Sequence, residues 1–282
     1  MNSSVSFPRW LKDRGFAFLA WLSAAVALFF LGAIAFKLIE SGIGGLFQAG
    51  TYTESTPAPM SSGGLLNAIV GSLIMTSISL VIATPIGILI ATFLTEFKEH
   101  HRIGNVVRFL NDILLSAPSI IVGLFVYALL VVPMGGFSGI AGAIALAVIA
   151  IPMIARTTED VLNVVPNQLR EAAIALGLPR WRVTFAIIYR SATAGMITAV
   201  LLALGRVAGE TAPLLFTALN DSYFSVDLGE PMPNLPVVIF QFAMSPYENW
   251  KDLAWTASLL ITLVILILNI SSRVLFRRKT GS

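Results

Sequence analysis

Six long apolar blocks run along this chain, separated by shorter polar segments. A helix that crosses a bilayer needs about 20 mostly apolar residues, and lipid tolerates no unsatisfied backbone, so blocks of this length read as membrane-spanning helices. They cover 15–36, 65–94, 113–132, 138–155, 192–219 and 253–275, the second being unusually long. Val132-Pro133-Met134-Gly135-Gly136 predicts a tight turn between the third and the fourth. The first block follows Arg9, Lys12 and Arg14, and Ala33-Ile34-Ala35 within it resembles a cleavage site. A signal peptide has an apolar core of roughly 7–15 residues, shorter than this block, so the first helix reads as retained.

Composition changes the picture only by exclusion. With 56% hydrophobic and 12% charged residues, the chain is too apolar for a soluble enzyme or a disordered segment. The absence of cysteine rules out a disulfide framework, a thiolate metal site and a cysteine nucleophile. A net charge of +3 could point to nucleic acid, but the placement of the charges points to a membrane and to no nucleic-acid partner. Lys and Arg gather in alternate segments: Arg9, Lys12 and Arg14; Lys98, Arg102 and Arg108; Arg156, Arg170, Arg180, Arg182 and Arg190; Arg273, Arg277, Arg278 and Lys279. Only Lys37 and Lys251 lie in the others, and Arg206 is inside the fifth span. The positive-inside rule then puts 1–14, the loop 156–191 and 277–282 in the cytoplasm of a multi-pass protein of the cell membrane. The outer segment 221–252 is acidic, too proline-rich over 229–236 for a helix or strand, and apolar over 237–244, which fits a short interfacial helix. Its length fits a binding or gating role at least as well as a plain solvated connector.

The loop 156–191 carries the most specific pattern. Pro166 suits a first helical turn, Ala and Leu fill the body that follows, and Gly177 with Pro179 stops it. Ala172, Ala173 and Ala175 leave a thin helix that another protein can approach. Glu171-Ala172-Ala173, followed after three residues by Gly177, resembles the EAA loop of binding-protein-dependent ABC importer permeases. Ile187 continues that pattern in register, whereas Tyr189-Arg190 stands where the family has Leu-Pro. Further segments (67–73, 83–87, 117–125, 205–215, 235–239 and 252–255) resemble the phosphate-specific permeases of the PstA type, and the 205–215 run is the most specific of them.

The resemblance implies an all-α, six-span, type I importer permease (MetI-like), with 65–276 as the permease domain. It implies a coupling helix at Glu171, Ala172, Ala173 and Gly177 seated in a groove of a cytoplasmic ATPase. The expected partners are a homologous second permease, two ATPase subunits and an extracytoplasmic phosphate-binding protein. No cofactor, metal or catalytic residue is expected.

Arg206 and Glu210, four residues apart in the middle of the fifth span, fall on one face of its helix. A charge at the centre of a span costs about 2.5–3.5 kcal/mol on insertion scales, so that face must meet protein or water. A guanidinium presents fixed paired donors that suit an oxyanion, with Glu210 holding it in the anion's absence. The alternative is a self-neutralising pair that pins the helix. Gly205, Gly209 and Pro213 beside the pair read as packing and a kink, and Pro85 as a kink in the second span.

Other chemistries lack their residues. No Gly-Lys dipeptide occurs, so a G-x-x-x-x-G-K-[ST] phosphate loop is impossible and ATP must be hydrolysed by another chain. His100 and His101 are adjacent, without H-E-x-x-H, and G-x-S-x-G is absent. A secondary transporter would show inverted repeats, and an intramembrane enzyme would need a paired acid or nucleophile. A permease for sulfate or molybdate is the nearest rival, since an arginine suits any of these anions.

Overall fold

The structure, a computed structural model, describes residues 7–96 and 101–277, with side chains over 13–96 and 102–271. His100, the side chain of His101 and the side chains of Arg9, Lys12, Lys98, Arg273, Arg277, Arg278 and Lys279 lie outside those residues. All secondary structure among the described residues is helical.

Among the described residues five helices are long and apolar enough to cross a bilayer. They are α1 (Phe7–Leu46), α3 (Leu66–Glu96), α6 (Gly139–Val164), α8 (Arg180–Val207) and α11 (Glu248–Arg277). A bent pair, α4 (His101–Ser116) and α5 (Ser119–Met134), which meet at 104°, makes six if the two together count as one span. Shorter helices are α2 (Gly50–Thr53), α7 (Asn167–Ala175), α9 (Ala212–Thr217) and α10 (Leu235–Ala243).

The core is built on α3 and α6. Along α3 the buried positions Gly71, Met75, Ser79, Ala83, Gly87, Ala91 and Thr95 recur every four residues. Gly142, Leu146, Ala150, Ile154, Thr158 and Leu162 do the same along α6. These are the four-residue ridges along which helices interlock, and the Gly, Ala, Ser and Thr among them let the two backbones close up around the larger Met75, Leu146, Ile154 and Leu162. A Cβ on Gly142 would lie 2.8 Å from Met75 Sδ, and one on Gly87 would lie 2.8 Å from Ile154 Cβ. Contacts that advance together along both helices mean that the pair runs parallel. α8 joins the inner half of the pair, with Gly195 seated against Val161. α11 stands against α1, where a Cβ on Gly42 would be 2.7 Å from the Trp255 carbonyl.

Two spans differ from the straight helices that the sequence predicts. The block 113–132 is not one helix, because the chain turns at Ala117-Pro118. Proline lacks the amide that would continue the ladder and drives the preceding residue out of helical backbone. The result is an amphipathic arm, α4, leading into α5. The block 192–219 is not one helix either: α8 starts earlier, at Arg180, and stops at Val207, and α9 begins beyond a break at 208–211. The last four-residue bond of α8 is Ala208 N to Leu204 O at 2.9 Å, and Pro213 stands in the first turn of α9, where its missing amide costs nothing and marks a new helix start. Pro85, by contrast, sits inside an unbroken α3.

The outer segment is packed rather than loose. Asn234 caps α10 by accepting from Val237 N at 3.0 Å, and Leu235 N donates to Ser72 Oγ at 2.7 Å. Leu235, Val237, Val238 and Phe242 are buried, and Phe242 stacks on Trp250 with ring centres 4.4 Å apart. The helix expected at the interface over 237–244 is therefore a plug between α3 and α11, with Pro236 in its first turn.

Candidate functional site

Two groups of sequence-predicted residues lie at different depths, and the fold does not bring them together. The first sits on α7, between the inner ends of α6 and α8. Its C-terminus closes as a Schellman motif: Leu178 N donates to Ala173 O at 3.3 Å and Gly177 N to Ile174 O at 2.9 Å. Gly177 takes φ +81°, a left-handed backbone that costs an L side chain about 1–2 kcal/mol, which is why glycine is required there.

Glu171 and Ala172 are exposed, and so are Leu169 (43%), Ile174 (51%) and Leu176 (83%). An apolar stripe at 169, 172 and 176 faces away from the chain's own spans. Ala173 points inward instead of outward. It is buried with Leu162, Val165, Val183 and Ile188, so it seats the helix on its own protein and cannot touch another.

Beside α7 a cleft of about 400 Å³ is lined by Thr92, Glu96, Arg170, Trp181 and Tyr189, among others. Arg170 spans it to Glu96, the last residue of α3, with Nη2 3.0 Å from Oε1. Tyr189 Oη lies 2.6 Å from Thr92 Oγ1, which joins α8 to α3 at the position where the sequence leaves the family pattern. Neither contact was legible beforehand, because Arg170 and Glu96 are 74 residues apart with no spacing to link them.

The second group lies where α8 breaks. Arg206 is in the last turn of α8, and Glu210 stands beyond it in the non-helical stretch. The helix unwinds through Gly209 N to Arg206 O (3.3 Å) and Glu210 N to Val207 O (3.2 Å). The charged pair is kept, with Arg206 Nε 3.6 Å from Glu210 Oε1, but on a helix end instead of one helical face. Arg206 is 48% exposed and Glu210 15%. The flanking Leu204 and Ala208 line an apolar groove of about 380 Å³ with Thr76, Ser77 and Leu80 of α3 and Ile265 of α11. Those residues are near the middle of their helices, so the pair is at mid-span.

A guanidinium there is held on one side by a carboxylate and is open on the other. That arrangement can accept an oxyanion in the fork geometry of arginine. Gly205 is not a close-contact position, since its nearest neighbour would be 3.5 Å from a Cβ. Close contact at this break comes instead from Gly123 of α5, where a Cβ would meet Pro213 Cα at 2.7 Å.

Residues 83–280 match the family described as binding-protein-dependent transport system inner membrane component. The chain is 52% identical, over 99% of its length and all of the relative's, to the phosphate transport system permease protein PstA of Pasteurella multocida. It is 52% identical to the protein of that name from Haemophilus influenzae, covering 93% of this chain and 92% of the other. Identity to a probable phosphate transport system permease protein PstA of Methanocaldococcus jannaschii is 37%, covering 94% of each. Among solved structures, a bacterial alginate ABC transporter in complex with a periplasmic protein superposes with a TM-score of 0.68 at 15% identity, covering 96% of this chain and 97% of that one. The inward-facing methionine transporter MetNI gives 0.65 at 20%, over 76% and 95%. At such identities these structures establish the fold alone, the all-helical fold of MetI-like ABC importer permeases.

Proposed function

The chain belongs to the binding-protein-dependent transport system inner membrane components, and from that premise we propose that it carries inorganic phosphate through the cytoplasmic membrane as one permease of an ATP-driven importer. End-to-end likeness to phosphate permeases supports the substrate. Within the structure the observation that carries the reading is Arg206, a half-exposed cation at mid-span, tethered to Glu210 at 3.6 Å. In this reading phosphate displaces the carboxylate from the guanidinium as it passes, and Glu210 takes the cation back afterwards.

Both termini are cytoplasmic. A homologous second permease completes the pathway, two ATPase subunits bind from inside, and a phosphate-binding protein delivers from outside. The exposed stripe of Leu169, Ala172 and Leu176, with Glu171, is the docking face for an ATPase. Ala173 and Gly177 shape that helix from within. Closure of the ATPases on ATP moves α7, the spans rock, and the pathway opens outward, then inward after hydrolysis. The chain makes and breaks no covalent bond.

The test is uptake of radiolabelled phosphate at low concentration in cells lacking this gene, then complemented with it or with Arg206→Gln. Loss and rescue of phosphate uptake, with sulfate and molybdate uptake unchanged, is the expected result. Full transport by Arg206→Gln, at wild-type membrane levels, would remove Arg206 from the pathway.

A further inference from the structure

We infer that Arg170 is the positioning residue that fastens α7 to the inner ends of α3 and α6, so that the helix cannot be displaced without carrying those two spans with it. The inference rests on the reading of α7 as the ATPase-docking helix.

Of the nine residues in α7, Ala173 alone is buried. One methyl group is a weak anchor for a helix that must transmit force, and the flanking links, 165–166 and 176–179, are a few residues long with no side chain cap. Arg170 supplies the missing hold. Its Nε and Nη2 grip Glu96 Oε1 at 3.1 and 3.0 Å, at the end of α3. Nη1 donates to Val165 O at 2.6 Å and Nη2 to Leu162 O at 3.0 Å, two carbonyls at the end of α6, of which Leu162 O also accepts from Val165 N at 3.3 Å. A further bond, Nη1 to Asn167 Oδ1 at 3.2 Å, returns to α7 itself.

The partners are 17% and 14% exposed, so the pair is shielded from water on both sides. The other inner-face contacts of Arg156, with Asp112 at 3.9 Å and Asp160 at 3.8 Å, are long and half-exposed, the class that contributes little. One planar fork thus bonds three helices at once. Lysine cannot reproduce this, because an ammonium can keep the charge but not the flat set of donors. Arg170 touches no substrate. Its effect is on the linkage between ATP hydrolysis and transport.

The whole complex, with its second permease, ATPases and binding protein, is reconstituted in liposomes, and phosphate transported per ATP hydrolysed is measured. Arg170→Gln and Glu96→Gln are expected to keep the ATPases bound and hydrolysing while that ratio falls about tenfold, within the range by which residues of a coupling network change a linkage. Arg170→Lys should fall between them and wild type. An unchanged ratio in Arg170→Gln would overturn the inference. So would a proportional fall of hydrolysis and transport that tracks the amount of assembled complex. Should Arg170→Gln fail to assemble, Glu96→Gln decides on the same criterion. A parallel Ala172→Arg, on the exposed face, tests the docking reading separately: that reading fails if the ATPases stay bound, whereas ATPase loss there with normal coupling in Arg170→Gln defeats only the role of Arg170.

Discussion

Arg108 donates through Nε to Oε1 of Glu159 at 2.8 Å and through Nη2 to the carbonyl of Leu94 at 3.2 Å, which ties the arm α4 to both helices of the central pair. Glu159 is only 7% exposed, so its carboxylate depends on this partner, while Arg108 is 40% exposed and shares its charge with water. A buried carboxylate left without its cation loses more than the pair contributed, since its desolvation is no longer offset.

Arg108→Ala should therefore lower stability by about 2–3 kcal/mol. Replacing both residues together by leucine should cost less than the single change, because no charge is then stranded. Thermal inactivation midpoints of the complex in detergent would show the order, and a double variant worse than Arg108→Ala would contradict it.

Gly123 and Pro213 set the second prediction. A Cβ at Gly123 would lie 2.7 Å from Pro213 Cα and 3.3 Å from its carbonyl oxygen, both backbone atoms that cannot swing aside. Gly123→Val should push α9 off α5, with an overpacking cost of about 1–3 kcal/mol. Since α9 follows directly on the break that holds Glu210, phosphate uptake should fall more than membrane abundance does. Gly205→Ala, with 3.5 Å to its nearest neighbour, should be tolerated in the same assay.

How far the sequence could lead is visible in these two positions. Periodicity and length found the membrane helices, since bilayer thickness imposes both, and the Glu-Ala-Ala helix with its glycine stop was readable from local rules. Gly205 reads as a packing glycine because glycine lets helices approach, yet it has space around it, and it is Gly123 that the tertiary approach of α9 brings against Pro213. The breaks at 117–118 and 208–211 had their signals in Pro118 and Pro213, but an apolar block long enough to span hides a break that polar neighbours would have revealed. The four-residue stripes on α3 and α6 were also present in the sequence, as recurring small residues, though their pairing required knowing that the two helices run parallel. Arg170 with Glu96 had no local signature at all.

Asn67 governs the outer rim. It is 1% exposed, accepts from Thr56 N at 3.0 Å, and donates to Thr56 Oγ1 at 2.9 Å and to the carbonyls of Asp221 and Ser222 at 3.2 Å. Asn67→Ala strands a buried amide and several acceptors, a loss of about 2–3 kcal/mol that should be felt locally. Hydrogen exchange of peptides covering 54–58 and 219–225 should accelerate while the middle of α6 stays protected. Unchanged exchange in both peptides would show that the rim is held by other contacts.

Tyr189 stands where the family pattern has leucine, and its hydroxyl has a definite task. Thr92 Oγ1 donates its one proton to Ile88 O at 2.7 Å, so the 2.6 Å contact with Tyr189 must be a bond donated by the phenol to Thr92. This is a side-chain link between α8 and α3 at the inner half of the molecule, just after the π-helical turn Thr184–Ile188. Tyr189→Phe removes the donor and keeps the ring, which also packs edge-on against Phe185 with centroids 5.1 Å apart. The expected cost is about 1 kcal/mol, that of a typical hydrogen bond. Tyr189→Leu, which restores the family residue, loses the aromatic contact as well and should cost more than the phenylalanine variant. Thr92→Val leaves the phenol in the cleft without its acceptor and should match or exceed Tyr189→Phe, while the double variant Tyr189→Phe with Thr92→Val should add little to either. Additive losses in that double-mutant cycle, read from thermal inactivation of the complex, would mean the two hydroxyls act independently and the link between α8 and α3 lies elsewhere.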